Sequence, residues 1–322
     1  MKSMFFVCLL YLLTVITSNA QETGFPTLTG PYLGQKPPGM TPKIFAPGII
    51  STGMSESAIA VSPDGKEIFY TVHAGNSETI VTTRMKNGIW TAPEVAHFSG
   101  KYMDGFPSMH PDGSKLYFHS YRPLHEDSLI ADVVNIWFVE KEGSGWSDPK
   151  PIGPPINGNG FVCCPSVTKT GTLYYSKKTQ NGEKIYRSRH INGKYLDPEE
   201  LPSQVNKDKD QFHAVISPNE TYLILPGNEY MVSFRDKNDN WSDLINLGEK
   251  INEYKSGWCP SISSDGQYFF FAAYPQVKWH NYFNERHTFE DLQEITLQHT
   301  ASERTDIFWV DAKVIDELRP KE

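Results

Sequence analysis

The chain has 322 residues, of which 39% are hydrophobic, 13% aromatic and 21% charged, enough apolar material for a packed core, which excludes intrinsic disorder as its main state. Its 30 basic against 38 acidic residues leave a net charge of −8, which argues against a nucleic-acid groove, since such a groove needs clustered Lys and Arg to displace phosphate counterions. The 24 Gly and 23 Pro are spread over the whole length, so long helices would be interrupted almost everywhere, while short strands joined by turns would not.

Residues 1–20 read as a secretory signal peptide: Lys2, an apolar run from Met4 to Ile16, then small and polar residues ending Ser18-Asn19-Ala20 before Gln21. A chain exported in this way is periplasmic or secreted. No later stretch approaches the roughly 18 apolar residues of a membrane span. Residues 21–42 carry Pro26, Pro31, Pro37, Pro38 and Pro42 and are expected to form an extended strap or linker. Residues 43–322 are then expected to form a single domain. Beyond Cys8 in the leader three cysteines remain, the vicinal pair Cys163-Cys164 and Cys259. An odd count in an oxidising compartment means one disulfide with a spare thiol, or three thiols or metal ligands with no bridge.

The rest of the chain repeats itself. Segments 58–72, 106–120, 164–178, 213–227 and 259–273 align without gaps, each an alternating apolar strand, a turn, and a second strand rich in Tyr and Phe. The turns are Asp64-Gly65, Asp112-Gly113, Thr170-Gly171, Asn219-Glu220 and Asp265-Gly266, at intervals of 48, 58, 49 and 46 residues. Asp-Gly or Asn there supplies the positive φ that a tight hairpin demands. A second recurrence follows each of three hairpins: Asn87-Gly88-Ile89-Trp90, Gly145-Trp146-Ser147-Asp148 and Asn240-Trp241-Ser242-Asp243. Four strands per unit of about 50 residues is the grammar of a β-propeller blade. The fold class is therefore all-β, a propeller of five four-stranded blades, with six as the alternative. Asp306–Val310 matches a blade's third strand with no fourth after it, and Lys43–Pro47 has a fourth-strand look with no hairpin before it. The ring is expected to close by pairing this N-terminal strand into the last blade, which removes two exposed edges.

Ser62–Gly65, His110–Gly113 and Ser263–Gly266, with the downstream Asp306–Val310, resemble the WD40-like repeats of TolB-like propellers, and the resemblance covers nearly all of the mature chain. It implies the propeller fold, with five blades here against six in the TolB domain itself. For function it implies a range: protein-binding scaffolds, periplasmic modules and accessory proteins of carbohydrate-processing systems.

In a propeller the loops joining second to third strands open on the face where the axial strands begin. Two of them are long: from Tyr121-Arg122 onward in blade two, and from Tyr274 to about Arg304 in blade five. Loops of that length are usually functional or disordered. The second mixes Trp279, Tyr282 and Phe283 with His280, Glu285, Arg286 and His287, a blend of stacking surfaces and titratable groups suited to sugar rings. On the axial strands, Glu56 and Asp104 are carboxylates at equivalent positions, whose bland reading is that they cap strand starts and bind loop amides. Alignment on the turns puts Ala58, Phe106, Cys164, His213 and Cys259 at one level, with Trp258 and Cys163 one residue earlier.

Cys164, His213 and Cys259 thus form a candidate Cys, His, Cys metal set, against packed reduced thiols or one disulfide. Strand alternation is expected to turn Cys163 to the opposite sheet face, so that any metal or bridge involves Cys164 and Cys259. Motifs for nucleophile elbows, zinc peptidases and phosphate loops are missing. Two functions follow. The first is a propeller that binds a glycan or another secreted protein without catalysis, through Glu56, Asp104, His119, Arg122, His213, Trp258, Trp279, His280 and His287. The second is a lyase or glycosidase on acidic polysaccharide, with His119, Arg122, His280 or His287 neutralising a uronate.

Overall fold

The computed structural model describes residues 24–124, 133–158, 160–208, 210–254, 258–274, 288 and 304–320. The signal-peptide segment lies outside them, and so do Trp279, His280 and His287. Among the described residues five antiparallel sheets form the blades, and a two-stranded ribbon of His190–Ile191 and Lys194–Tyr195 extends blade three. Blade one holds strands Glu56–Val61, Glu67–Ala74, Ser77–Lys86 and Glu94–Val95; blade two, Asp104–Met109, Lys115–Ser120, Asn135–Glu142 and Lys150–Pro151. Blade three holds Val162–Val167, Leu173–Thr179, Gly182–Ser188 and Glu199–Glu200; blade four, Val215–Ile216, Tyr222–Leu225, Met231–Phe234 and Ile245–Asn246. Blade five combines Trp258–Ile262, Tyr268–Ala273 and Asp306–Asp311 with Lys43–Ile44.

Each first strand packs against the first strands of both neighbouring blades, and the cycle closes from blade five to blade one. The protein is a five-bladed β-propeller. As expected, the N-terminal strand completes the last blade: Lys43 pairs with Trp309 and Ile44 with Phe308, so neither chain end leaves an open sheet edge there. The preceding segment lies across blades five and one, where Leu33 is buried, the Tyr32 ring stacks on Trp309 and the Gly39 carbonyl accepts the Asp311 N–H. Among the described residues no helix is long and apolar enough to cross a membrane.

The hairpin turns explain the repeat. Gly65, Gly113, Gly171 and Gly266 all have φ between +67° and +81°, and at Gly65 a Cβ would sit 2.8 Å from the Tyr32 ring. Blade four puts Glu220 in the same left-handed conformation at +60°, held there by Tyr174, whose hydroxyl donates to its carboxylate at 2.6 Å, and by Arg235. The recurring tryptophans are seam residues. Trp90 donates its indole N–H to the Gly30 carbonyl, Trp146 donates to Glu67 of blade one, and Trp241 packs edge-on against Tyr174 of blade three.

The first strands share one irregularity. Pairing jumps from Ser57–Thr71 to Ile59–Tyr70, from Gly105–His119 to Ser108–Tyr117, from Cys163–Ser176 to Ser166–Tyr174 and from Trp258–Ala272 to Ser261–Phe270. One extra residue is therefore accommodated at the same place in four blades, which is a β-bulge. Ala58, Phe106, Cys164 and Cys259 sit at the bulge with φ of +39°, +56°, +55° and +52°, and His213 of blade four takes +58° at the matching position. These are the five residues aligned at one level from the sequence.

Blades three and four are clamped by charge. Arg187 holds Asp239 through two parallel hydrogen bonds of 2.6 Å, and Arg189 and Arg235 reach the same carboxylate at 2.8 and 2.6 Å. The hydrogen bond from Arg187 holds the Asp239 carboxyl well below the usual carboxylate range, with Arg235 adding to it against partial burial. Because the folded value lies below the unfolded one of about 3.9, the stabilisation is complete above about pH 4 and is lost as pH falls through the folded value. Asp239→Asn should cost about 1–2 kcal/mol at neutral pH, discounted for a partly exposed site. Thermal unfolding from pH 7 down to pH 2 should show the gap between wild type and variant closing in acid.

Candidate functional site

The axial strands begin at the wide end of a cleft of about 850 Å³. Its floor is made by the bulge residues Phe106, His213 and Cys259, and below them lies a void of only about 50 Å³ lined by all five members of the ring. The bulge level is thus a septum across the propeller axis. Its left-handed backbone has a local consequence. In a regular strand Cys163 and Cys164 would project to opposite faces, but with Cys164 at φ +55° the two thiols lie on the same side, 3.1 Å apart. The expected separation of Cys163 from Cys164 is therefore corrected, because alternation is interrupted at that residue.

A polar relay crosses the floor. The Ser57 hydroxyl lies 2.7 Å from His73 Nε2, His73 Nδ1 lies 3.8 Å from Glu78, and His119 Nε2 donates to Glu78 Oε2 at 2.8 Å. His73 and Glu78 are cross-strand partners at the tight turn between the second and third strands of blade one, which brings them under the cleft opening. Cys163 lies next to His119, and its Sγ is 3.6 Å from Glu183 of the same blade. Burial pulls the His119 imidazole down, but Cys163 and Glu78 more than offset it and hold its pKa at about 9. Burial opposes the Cys163 thiolate, yet the Cys164 thiol and His119 bring its pKa below the ordinary thiol value. Burial pushes Cys259 up to about 12 and pulls His213 down to about 3, so both are neutral near pH 7.

The walls are aromatic. Trp258 is 49% exposed and stands beside Phe212, with ring centroids 5.6 Å apart, and His213 packs between Trp258 and Phe106 at 5.8 and 4.4 Å. Tyr121, Phe161 and Tyr274 line the cleft as well, and Arg304 stands at its rim. A large apolar ring face beside buried donors and acceptors suits a compact polar ligand with one apolar face.

The sequence-derived residues divide into two groups. His119, His213 and Trp258 meet in the cleft. Glu56, Asp104 and Arg122 do not line it. Glu56 is buried and accepts from the backbone N–H groups of Thr52 and Met54 and from the Thr52 hydroxyl. Asp104 accepts from Arg122 at 2.7 Å and from Ser99 at 2.9 Å, while Arg122 also donates to Ser120 and to the Phe98 carbonyl among the rings of Phe118 and Trp137. The charge of Arg122 is thus already matched inside blade two. Cys164, His213 and Cys259 share a level, yet among the described residues the three-residue group whose ligand atoms gather within 4.8 Å is His119, Cys163 and Cys164. Adjacent residues of one strand, and a strand of the neighbouring blade packed against it, approach more closely than residues of three blades spaced around the axis.

The sequence reading passed over His73, Glu78 and Glu183 because it looked for function in long loops. The available signal was that every second-to-third turn, short ones included, opens on the same face.

No protein-family model matches the sequence, and no curated protein does. Among solved structures the chain is similar to TolB from Acinetobacter baumannii, with 19% identity and a TM-score of 0.46 over 68% of this chain and 48% of that one. The chain thus spans about half the length of that protein. It is similar also to an α-L-arabinofuranosidase from Lactobacillus brevis, with 12% identity and a TM-score of 0.48 over 80% of this chain and 90% of that one. The GH62 α-L-arabinofuranosidase catalytic domain from Coprinopsis cinerea matches at 10% identity and a TM-score of 0.48 over 90% of this chain and 98% of that one.

The placement of Arg122 predicts a stability phenotype. Arg122→Met strands the Asp104 carboxylate in the core and should cost about 3–5 kcal/mol. Arg122→Met with Asp104→Leu should recover most of that loss in chemical denaturation, because both charges are then gone.

Proposed function

We propose that this chain is a periplasmic or secreted binding module that takes a carbohydrate unit in the axial cleft, as an accessory to polysaccharide processing. The observation that carries the reading is the half-exposed Trp258 ring sharing one cleft with the partly buried His73 and Glu78 and the buried His119. A pyranose ring presents an apolar face that stacks on an indole, and equatorial hydroxyls that both donate and accept. The relay offers both partners, since the Glu78 carboxylate accepts and the imidazoles of His73 and His119 reach the same space. The cleft volume of about 850 Å³ falls within the roughly 300–1,000 Å³ of small-molecule sites. Export follows from the leader read at residues 1–20.

Calorimetric titration with a panel of neutral and uronate-containing oligosaccharides tests this reading. Trp258→Ala should weaken binding about 30-fold, corresponding to an anchor of about 2 kcal/mol, while the thermal midpoint stays within about a degree of wild type. Absence of binding across the panel with folded protein, or full binding by the variant, would end the carbohydrate assignment. New reducing ends or ultraviolet absorbance during the titration would replace binding with glycoside hydrolysis or elimination at the same cleft.

A further inference from the structure

We propose that His119, Cys163 and Cys164 bind a thiophilic divalent cation, with zinc as its reference ion. The site shares His119 with the cleft, but its test reads bound metal and so fails or holds separately from carbohydrate binding. All three residues are buried, and one ligand atom from each lies within 4.8 Å of the others. Thiolate sulfur and imidazole nitrogen are the donors that zinc takes in Cys- and His-containing sites.

The geometry goes beyond a chance cluster in three respects. The left-handed turn of the backbone at Cys164 brings two adjacent thiols to one side of the strand, where a regular strand would separate them. Their sulfurs, 3.1 Å apart, need to open only to about 3.7 Å to hold one zinc at the usual 2.3 Å bond length in a tetrahedral arrangement. The His119 Nδ1 is buried and makes no hydrogen bond, although Nε2 of the same ring is fixed on Glu78 at 2.8 Å. A carboxylate on the far nitrogen of a ligating histidine fixes the ring orientation, so metal binding would displace a proton from the imidazole and release it to solvent. Glu183, with Oε1 3.6 Å from the Cys163 sulfur, lines the cleft and puts an oxygen donor beside the pair.

The competing outcome at the same pair is a vicinal disulfide. Adjacent Cα atoms are about 3.8 Å apart, below the roughly 4.4–6.8 Å that unstrained bridges span, so the pair is better suited to share a metal than to close on itself.

The test uses the protein purified without chelator, exposed to excess zinc and desalted. Elemental analysis should find one zinc per chain, and cobalt substitution should give a thiolate-to-cobalt charge-transfer band. Cys163→Ser, Cys164→Ser and His119→Gln should each lose the metal and the band, whereas Cys259→Ser, which removes the third buried thiol, should keep both. Glu78→Gln should weaken zinc affinity 10- to 100-fold without abolishing it. Circular dichroism of each variant distinguishes loss of metal from loss of fold, and the cobalt spectrum of the wild type stands without any variant. A wild type with no stoichiometric zinc, a native mass two hydrogens light in the peptide holding Cys163 and Cys164, or metal lost with Cys259→Ser would each overturn the proposal.

Discussion

The protein depends on a single backbone deviation made once per blade. Five first strands must converge on one axis, and at the level where they come closest each takes one residue into the left-handed region, at Ala58, Phe106, Cys164, His213 and Cys259. For side chains larger than glycine that conformation costs about 1–2 kcal/mol each, so the ring packing has to hold it. Hydroxyls on the neighbouring blade contribute: Thr71 accepts the Phe106 N–H and Ser176 accepts the His213 N–H, each at 3.0 Å, so amides that the bulge removes from the ladder are not left unsatisfied. Pro107, Pro165 and Pro260 follow three of the five residues, where an interrupted ladder tolerates a missing donor.

Around this hub the seams between blades are built differently from one another. Between blades one and two, Glu67 receives the Trp146 indole N–H and the Lys141 ammonium. Between blades three and four, a fork of arginines closes on Asp239, and Tyr174 reaches Glu220. Between blades five and one, Ser264 donates to the Val61 carbonyl while the N-terminal strand and the segment before it cover the joint. The apolar interior is therefore a chain of clusters between sheets, each stitched by a few directional polar contacts that fix the angle between blades. Phe269 and Phe271 on one face of their strand and Phe270 on the other, each worth about 2–3 kcal/mol on burial, feed two such clusters.

The same deviation makes the chemistry. A septum at the bulge level divides the axis into a wide cleft and a small void, and the left-handed residue in blade three turns two thiols to one side beneath His119. The titratable groups then differ through their surroundings. The His119 pKa is raised by Cys163 and Glu78 against burial, while His213, packed between aromatic rings, is held neutral by burial. The charges of Asp104 and Arg122 cancel within blade two and take no part in the cleft.

The sequence by itself favoured five blades over six and determined the turn positions, the closing strand and even the common level of Ala58, Phe106, Cys164, His213 and Cys259, because each follows from a motif repeated at nearly constant spacing. It also named Trp258, His119 and His213, which the fold brings to the cleft. Only the tertiary structure decided which carboxylates face that cleft: Glu56 and Asp104 look equivalent along the strand, yet both are used by local amides, a hydroxyl and an arginine, while Glu78 arrives from a short turn that no periodicity marks. It alone decided the thiol geometry as well. Alternation along a strand is a local rule that holds while the ladder is regular, and the extra residue that lets five strands meet at one axis is imposed by the neighbouring blades.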